Sequence, residues 1–476
     1  MKYTLHEKII INRPIEECFS YLKDFSTIEQ WDPGVYRSSK LTPGNPQVGT
    51  EYEVILKLPA NKLSAMRYTQ VAIDEPNQLI LQGEGDNFTA FDTLSFSAID
   101  DSKTCIDYRA ELDLEWLQPP FAWMFKPLLN RLGKKAVSGL EQALTNPSSP
   151  ADRRLKNDLC DKLIVPATLS FGKRGYLSMP RKSHSNRMDG KVVAITGPTA
   201  GIGLDAACEL ARLGATLILI GRDTSKLQKA AKQIEDFSGC DPHALRVIEA
   251  DLSSLQATAA GARKIVETQP RIDVLINNAG ALFSSREDTE EGFERALAVN
   301  FLAPVLLSKL LQGHLNDASR IINVVSGGLY FQGLKLNDMQ FLKEAYDGSK
   351  AYARAKRALV YMSQESTAKT NYYTMHPGWA ATPGVAKSLP AFDRKLKNFM
   401  RDGRMGADTM IWLATAPELK DYQEPQLWFD RHPHAYDVLP NTKASASEKQ
   451  QLERWTQQTL SPFEASVTSE LYSGRA

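Results

Sequence analysis

The hydrophobic pattern of the chain changes near residue 188. Before that point, strand-like segments such as 52–58, 79–82 and 104–110 are separated by turn residues. After it, short apolar runs alternate with amphipathic helical segments, which is typical of a parallel sheet covered on both faces. The pattern therefore predicts an α+β domain followed by a doubly wound α/β domain. Strands of the second domain are predicted at 191–195, 217–220, 246–250, 274–276, 320–325, 372–375 and 427–431.

Helices are predicted near both ends of the first domain. Residues 14–22 begin with Pro14 and carry apolar residues at helical spacing. Residues 120–144 return to a helical pattern with one apolar side. That side would consist of Trp123, Met124, Leu128, Leu129 and Leu132. The first domain is thus predicted as a set of strands with a helix near each end.

Two segments lie outside these domains. Residues 148–187 contain turn-forming and basic polar stretches and are predicted to be a linker, with a helix inside 155–176 that lies against the second domain. Residues 441–476 are predicted to be a polar tail, partly helical or mobile. The two domains are accordingly predicted at 1–147 and 188–440.

Composition narrows the classes of partner. The 476 residues include 57 basic and 56 acidic ones, a balance that provides no field to attract nucleic acid or an anionic membrane. The five cysteines are scattered, lack metal-ligand spacing and are expected to be reduced thiols. No apolar stretch is long enough for a signal peptide or a membrane span. We therefore expect a cytoplasmic protein with a small ligand, no metal and no nucleic-acid partner.

A glycine-rich turn joins the first predicted strand of the second domain to a helix. It reads TGPTAGIG over residues 196–203. Glycines at these positions permit a tight turn and let backbone N–H groups and the helix N-terminus approach a pyrophosphate. Because the turn lies between a strand and a helix, it is a specific signal for a dinucleotide cofactor.

The end of the second strand bears on the choice between NADP and NAD. Gly221 stands where an acidic residue would hold the ribose diol, and Arg222 follows it. An arginine at this point can pair with the 2′-phosphate of NADP, whereas a carboxylate would repel it. This favours NADP. The alternative is that Asp223 binds the ribose diol of NAD and that Arg222 is a solvated loop residue.

Two later motifs resemble those of the short-chain dehydrogenase/reductase superfamily. Asp251-Leu252 follows the third strand as in the family's adenine pocket, and residues 277–280 read NNAG after the fourth. The resemblance covers residues 188–440 and implies hydride transfer by an Asn, Ser, Tyr and Lys constellation. By position, it identifies Asn300 and Ser326 as the first two members.

The Tyr and Lys are harder to assign, because YDGSKAYARAK at 346–356 contains two Tyr-x-x-x-Lys pairs. The tyrosine must exchange the substrate proton, and a lysine one helical turn away must lower its pKa, so both belong on one helix face. Tyr346/Lys350 encloses Asp-Gly-Ser, which is turn and helix-cap chemistry. Tyr352/Lys356 lies among good helix formers. The stretches SGGLY at 326–330, YDG before YARAKR, and MHPGWAATPGV at 375–385 resemble the family's member-twelve-like branch, in which the motif Tyr and Lys match these two positions. We therefore predict that Tyr352 and Lys356 are catalytic, although a shorter separation from Ser326 favours Tyr346.

The resemblance also assigns residues after the sixth strand. Pro377-Gly378 resembles the turn under the nicotinamide, and Thr382 the residue that contacts its carboxamide. Residues 385–405 occupy the position of the family's substrate lid and are predicted to determine specificity. The predicted cofactor-binding residues are Thr196, Gly197, Gly201, Ile202, Gly203, Arg222, Asp251, Leu252, Asn278, Ala279, Gly280, Tyr352, Lys356, Pro377, Gly378 and Thr382.

The first domain resembles the helix-grip fold of the START, Bet v1 and polyketide-cyclase superfamily. The residues RPIEECFSYLKDF and QWDPGV carry the resemblance, together with the order of helix, strands and closing helix. It implies binding of a lipid, sterol or aromatic polyketide. The alternative is that the aromatic residues only form core. The sequence reveals no acid, base or metal constellation in this domain.

These observations predict an NADP-dependent oxidoreductase that interconverts a carbonyl and an alcohol on an apolar substrate, fused to a domain that binds a hydrophobic ligand. One alternative is a ligand carrier whose dinucleotide domain only senses redox state. Another is a cyclase or aromatase acting in tandem with the reductase. The superfamily resemblance further implies dimers or tetramers formed through the helices that flank the active site.

Overall fold

The protein is described by a computed structural model that covers residues 2–42, 45–58, 62–85, 88–114, 133–141, 143–144, 171–178, 184, 186–269, 271–364, 371–388, 390, 394, 396–417, 419, 427–439 and 442–473. The chain divides into two compact units. The first comprises Met1–Pro150 with Met179–Ser185, and the second comprises Ala151–Ser178 with Asn186–Ala476. Among the described helices, none is long and apolar enough to cross a membrane.

The first unit is an antiparallel sheet with helices inserted after its first strand and following its last. Its elements are β1 Lys2–Ile11, α1 Ile15–Lys23, α2 Ile28–Trp31, β2 Val35–Lys40, β3 Glu51–Leu58, β4 Lys62–Asp74, β5 Gln78–Gly85, β6 Phe88–Asp100, β7 Lys103–Leu114 and α3 at 133–144, of which residue 142 is not described. The seven strands are ordered β1-β7-β6-β5-β4-β3-β2. This arrangement confirms the predicted helix-grip fold.

Local chemistry explains where α1 forms. Pro14 is its N-cap, with a φ of −56° that a proline ring favours, and Glu16 and Glu17 lie in the first turn where the helix dipole attracts acidic groups. Cys18, Phe19 and Leu22 form its buried side. The predicted apolar side of the closing helix, from Trp123 to Leu132, lies outside the described residues.

The second unit has an eight-stranded sheet in the order β10-β9-β8-β11-β12-β13-β14-β15. All its neighbouring strands are parallel except the last pair, which is antiparallel. Its elements are α4 Lys173–Ser178, β8 Val192–Thr196, α5 Gly201–Arg212, β9 Thr216–Gly221, α6 Thr224–Ser238, β10 Leu245–Glu249, α7 Leu255–Thr268, β11 Val274–Asn277, α8 Arg295–Leu310, β12 Arg320–Val324, α9 Gly348–Gln364, β13 Asn371–Met375, α10 Pro383–Ser388, α11 Gly403–Thr415, β14 Leu427–Phe429, β15 His432–His434 and α12 Ala446–Ser473. The doubly wound prediction is confirmed.

The last predicted strand is shorter than its apolar sequence suggests. We predicted it over 427–431, but β14 ends at Phe429 and the chain reverses into β15. Asp430 and Arg431 form this reversal with φ values of 52° and 61°, a left-handed conformation that non-glycine residues rarely adopt. Arg401 pairs with Asp430, and Arg431 pairs with Asp408, so tertiary ion pairs hold the turn in place.

The C-terminal segment is not simply a polar tail. Residues Ala446–Ser473 form the long helix α12, which packs against α7, α8 and α9. Leu452, Thr456 and Leu460 are fully buried along one narrow side, and the ring of Trp455 stacks on that of Phe301 at a centroid distance of 6.5 Å. The prediction missed this packing because a stripe of so few apolar residues is hidden in a polar composition.

Candidate active site

The two Tyr-x-x-x-Lys pairs lie at or near the start of helix α9, Gly348–Gln364. The residue at which the helix begins therefore determines which pair is helical. Asp347 caps the helix, since its Oδ1 accepts hydrogen bonds from the N–H groups of Ser349 at 2.9 Å and Lys350 at 3.1 Å. Gly348 is the first residue of the helix. A larger residue would not fit at this position, since a Cβ there would lie 1.8 Å from the carbonyl oxygen of Phe283. Tyr346 therefore precedes the helix, and the Tyr346/Lys350 pair does not share one helical face.

The surroundings of Tyr346 and Lys350 indicate structural rather than chemical roles. The Tyr346 hydroxyl donates to Glu294 Oε1 at 3.1 Å, and its ring contacts Phe341 at a centroid distance of 5.4 Å. Burial and the Glu294 carboxylate raise the pKa of Tyr346. Lys350 is exposed. Through these contacts Tyr346 stabilises the loop before α9.

Tyr352 lies in the first turns of α9 and is half-buried. Burial raises its pKa to about 12, while a side-chain hydrogen bond with Ser326 acts in the opposite direction. Ser326 follows β12 and caps a short 3-10 helix, where its Oγ accepts from the N–H of Gly328 at 3.3 Å. The strand end thus places the serine hydroxyl beside the phenol.

Lys356 is buried one turn further along α9. Its Nζ donates to the carbonyl oxygen of Val324 at 2.8 Å and lies 5.9 Å from the centroid of the Tyr352 ring. Burial lowers the pKa of Lys356 to about 7. An ammonium group so close to the phenol favours the phenolate. The amine of Lys356 and the phenol of Tyr352 therefore lie close together on α9.

Asn300 sits in a π-helical turn, Ala298–Leu302, inside α8. Its Nδ2 donates to the carbonyl oxygens of Ala281 and Ala296, both at 2.8 Å, and its Oδ1 accepts from the N–H of Ala281 at 3.1 Å. The side chain thereby fixes the strand end after β11 to the helix. A Cβ on Gly280 would lie 3.0 Å from Asn300 Oδ1 and 3.4 Å from Lys356 Nζ, so Gly280, Asn300 and Lys356 meet at one place.

The glycine turn is shaped by close backbone contacts. Gly197 has a φ of 68°, and a Cβ there would lie 3.1 Å from Ala279 Cα. At Gly203 a Cβ would lie 2.4 Å from both the Gly197 carbonyl oxygen and Asn278 Nδ2. Neither position tolerates a side chain, and both keep the N-terminus of α5 open to a ligand.

Hydrogen bonds lock this turn to the NNAG segment. Asn278 Nδ2 donates to the carbonyl oxygen of Thr196 at 2.9 Å and to that of Gly197 at 3.2 Å. The N–H of Ala279 donates to Thr196 Oγ1 at 2.9 Å. No acidic residue lies in the first turn of α5. These residues fit a dinucleotide pyrophosphate, because N–H donors and a helix N-terminus converge without a competing carboxylate.

Arg222 and Asp223, on which the choice between NADP and NAD depends, differ in their surroundings. Arg222 is exposed at the end of β9. Asp223 instead caps α6: its Oδ1 accepts from Ser225 Oγ at 2.7 Å and from the Lys226 N–H at 3.0 Å. These hydrogen bonds lower the pKa of Asp223 to about 2. Leu252 is buried, and Asp251 Oδ1 accepts from the Ser253 N–H at 2.9 Å.

The predicted nicotinamide turn follows β13. Gly378 has a φ of 75°, and its N–H donates to His376 Nδ1 at 3.0 Å. Thr382 caps α10 by accepting from the Val385 N–H at 3.2 Å. A Cβ on Gly201 would lie 3.0 Å from Thr382 Cγ2, so the start of α10 approaches the glycine turn. Ile202 packs on the other side, against Gly406.

Sequence reasoning missed a set of residues that support the nicotinamide turn. Phe171 is buried; it belongs to 155–176, the part of the predicted linker that was expected to lie against the second domain. Its ring lies 4.5 Å from that of His376 and edge-on to Trp379 at 6.0 Å. Its carbonyl oxygen accepts from Arg401 Nε at 2.9 Å and from the Trp379 N–H at 2.8 Å. A Cβ on Gly327, next to Ser326, would lie 2.9 Å from the Phe171 ring.

Arg401 is the centre of this support. It is buried and forms two hydrogen bonds to Asp430, from Nη1 at 2.6 Å and from Nη2 at 2.9 Å. Its guanidinium also lies 5.2 Å from the Tyr176 ring centroid. A Cβ on Gly378 would lie 2.5 Å from Arg401 Nε. Only the aromatic content of 155–176 hinted at this role, because the contacts join segments more than two hundred residues apart.

The predicted lid is described in part. Residues 383–388 form α10, and Ser388 Oγ donates to the Leu282 carbonyl oxygen at 3.1 Å. Phe399 is 65% exposed, and its carbonyl oxygen accepts from the Lys173 N–H at 2.7 Å. Phe392 lies outside the described residues. The segment between α10 and Arg401 therefore presents an aromatic side chain to solvent.

Comparison with known proteins adds independent evidence. Residues 191–388 match the family described as short chain dehydrogenase, and residues 2–146 match the one described as polyketide cyclase/dehydrase and lipid transport. The chain is 34% identical to dehydrogenase/reductase SDR family member 12 of Bos taurus over 295 residues, 59% of this chain and 91% of the relative. It is 36% identical to retinol dehydrogenase 14 of Mus musculus over 255 residues, 49% of this chain and 76% of the relative.

Solved structures also align with the chain. An uncharacterised protein from Mycobacterium paratuberculosis shares 25% identity, with 58% of this chain and 95% of that chain covered at a TM-score of 0.45. Each half of the chain is therefore matched by a family model, and the match to the Bos taurus relative extends over 91% of that relative's length.

Proposed function

The chain belongs to the short-chain dehydrogenase/reductase family, and from this premise we propose that it interconverts a carbonyl and an alcohol on an apolar substrate with NADP(H) as cofactor. The observation that carries the proposal is the convergence of Ser326, Tyr352 and Lys356 beside the glycine turn and the NNAG segment. The family assignment makes the chain an NAD(P)-dependent oxidoreductase. The residue roles, the substrate class and the NADP preference are the proposed part.

The proposed chemistry assigns one task to each side chain. The bound cofactor supplies or accepts the hydride. Tyr352 donates its phenolic proton to the carbonyl oxygen in reduction and takes it back in oxidation. Ser326 donates a hydrogen bond to the same oxygen, and Lys356 stabilises the phenolate when its amine is protonated. Asn300 is a positioning residue, because its side chain holds the segment after β11 against α8.

The preference for NADP rests on the two residues after β9. Arg222 is exposed and available to a phosphate, whereas Asp223 is occupied as the cap of α6. A carboxylate that already accepts two hydrogen bonds is a poorer partner for a ribose diol. Arginine forms a paired, charge-assisted interaction with a phosphate dianion.

The apolar substrate class is supported by the relatives and by the first unit. Mouse retinol dehydrogenase 14 is named for an apolar alcohol, and the first unit matches a family described by lipid transport. Aromatic side chains, Phe171 and Trp379, also lie beside the proposed nicotinamide turn. Substrates with an aldehyde or ketone on a long hydrocarbon or fused-ring body fit these features.

The proposed activity is tested by measuring NADPH oxidation with a panel of apolar aldehydes and ketones, and NADP reduction with the matching alcohols. We expect turnover with at least one apolar pair and a weaker response with short polar carbonyls. Tight NADPH binding without turnover on any member of the panel would instead support the carrier or sensor alternative.

A further inference from the structure

The interior of the first unit contains an ionisable cluster that the reductase chemistry does not use. Asp92 lies on β6 in phase with Ala90, Leu94 and Phe96, all buried, so its side chain points to the inner side of the sheet. Asp92 itself is only 2% exposed. A buried carboxylate on an apolar strand face costs free energy unless other groups compensate it.

Two tyrosines from neighbouring strands compensate this charge. The Tyr108 hydroxyl on β7 donates to Asp92 Oδ1 at 2.6 Å. Tyr68 on β4 also interacts with the carboxyl group, although β5 separates the two strands. Gly83 makes this reach possible: it is paired with Tyr68, and a Cβ there would lie 2.7 Å from the Tyr68 ring. The glycine leaves the space that the ring occupies.

Hydrogen-bonding capacity remains unused around this cluster. Among the described residues, Asp92 Oδ2, Trp31 Nε1 and Gln70 Nε2 have no hydrogen-bond partner, and all three residues are nine-tenths or more buried. The Trp31 ring lies edge-on to the Tyr108 ring at a centroid distance of 5.9 Å. Gln70 and Asp92 flank Leu81 in one row across the strands. One acceptor and two donors therefore face the same interior.

A merely structural cluster would not be expected to leave three such atoms unpaired. Leaving a buried donor or acceptor without a hydrogen-bond partner destabilises a protein. A ligand bound in the interior could supply hydrogen-bond partners for these three atoms. A hydroxyl group donates to a carboxylate oxygen and also accepts from an N–H, whereas a carbonyl or ether oxygen only accepts.

We propose that the interior of the first unit binds an apolar molecule that carries a hydroxyl group, with Asp92 Oδ2 accepting from that hydroxyl and the Trp31 or Gln70 N–H groups donating to ligand oxygen. This goes beyond the proposed reductase function and assigns the first unit a selectivity for alcohols over carbonyl compounds. Burial also raises the pKa of Asp92 to about 6, so the carboxylate form, which is the acceptor, predominates at neutral pH.

Calorimetric titration of the full chain, without nucleotide, tests this proposal with β-naphthol and its methyl ether as matched probes. We expect β-naphthol to bind more tightly than the ether, because only the former donates a hydrogen bond. In Asp92→Asn an amide replaces one carboxylate oxygen by a donor. The preference for β-naphthol should then fall by about tenfold or more, while binding of the ether is kept or improved.

Trp31→Phe is the second variant and covers the case that Asp92→Asn does not fold. It keeps an aromatic ring but removes an N–H that has no hydrogen-bond partner among the described residues. Thermal stability should be unchanged or higher, whereas probe affinity should fall. Tyr352→Phe should leave the binding of both probes unchanged, so failure here is distinguishable from failure of the reductase proposal. Equal binding of the two probes, or unchanged preference in Asp92→Asn and Trp31→Phe, would overturn the proposal and indicate a structural water.

Discussion

The two units assemble buried ionisable groups in different ways. In the second unit, Tyr352 and Lys356 are one turn apart on α9, so a short motif is enough to bring them together. In the first unit, Tyr68, Asp92 and Tyr108 come from three separate strands of the sheet. The comparison teaches that chemistry carried by one helix or one turn can be read from a sequence. Chemistry assembled across strands becomes visible only once the register is known.

Burial shifts the pKa values of one key group in each unit towards neutral pH, downward in the second unit and upward in the first. It lowers the pKa of Lys356 to about 7 and raises that of Asp92 to about 6. Both groups can therefore change charge near physiological pH when a ligand enters. For Lys356 the ligand would be the dinucleotide, and for Asp92 it would be the hydroxyl-bearing molecule of the further proposal.

The largest expected effect is on kcat/KM, and it should distinguish Lys356 from Lys350. Lys356→Met should lower kcat/KM by about 10²–10⁴-fold, since it removes the cation that stabilises the phenolate. Lys350→Met is the matched control, because Lys350 is exposed on the same helix, and it should be nearly silent. Steady-state NADPH oxidation measures both. Equal losses of kcat/KM in the two variants would contradict the assignment of Tyr352/Lys356, rather than Tyr346/Lys350, as the catalytic pair.

The support under the nicotinamide turn should be the next most sensitive feature. Arg401→Met removes the guanidinium that pairs with the buried Asp430 carboxylate and should destabilise the protein by about 3–5 kcal/mol. Lys232→Met removes exposed ion pairs with Glu235 and Asp236 and should change the free energy of unfolding little. Urea unfolding compares the two. A loss at Arg401 no larger than that at Lys232 would show that the buried pair does not hold the turn.

The pH dependence of stability should have opposite signs in the two units. His376 is held by Arg401, Asp430 and His434, and burial with the Arg401 charge lowers its pKa from 6.5 to about 3. Between those values the unfolded chain binds the extra proton, so this contribution to stability falls as the pH falls. Asp92, with Tyr108 and Tyr68, has its pKa raised from 3.8 to about 6. In that window the folded state binds the extra proton, so this contribution rises as the pH falls.

Two variants isolate these contributions. His376→Phe should flatten the acid loss of stability in the second unit. Asp92→Asn should abolish the opposite trend in the first, an effect of about 3 kcal/mol at most. Urea unfolding at several pH values between 3.8 and 6 measures both changes. The same pH slope in each variant as in the parent chain would contradict the assignments.

A smaller effect is expected at the adenosine end of the cofactor. Arg222→Ala should raise KM for NADPH by about tenfold, the loss of one charge-assisted interaction. KM for NADH should change little, because NADH lacks the 2′-phosphate. Asp223→Asn is the comparison variant: a marked loss with NADH alone would favour the alternative reading, in which Asp223 holds the ribose diol.

Most of the second unit could be predicted from sequence. Its first six strands, β8 to β13, lie close to their predicted positions, and the glycine turn and NNAG segment lie together. The supporting shell could not be predicted, because Phe171, Arg401 and Asp430 meet only through the tertiary fold. The packing of helix α12 was missed because its buried stripe is narrow. Asp92 was missed because an acidic residue in a strand is expected to be exposed until the strand register is known.

The central claim is that Tyr352, rather than Tyr346, exchanges the substrate proton. It is tested most directly by comparing Tyr352→Phe with Tyr346→Phe for NADPH binding and for turnover with the best apolar carbonyl. We predict that Tyr352→Phe binds NADPH normally and loses turnover by about 10²–10⁴-fold, while Tyr346→Phe keeps most of the activity. Full activity in Tyr352→Phe together with loss in Tyr346→Phe would contradict the assignment.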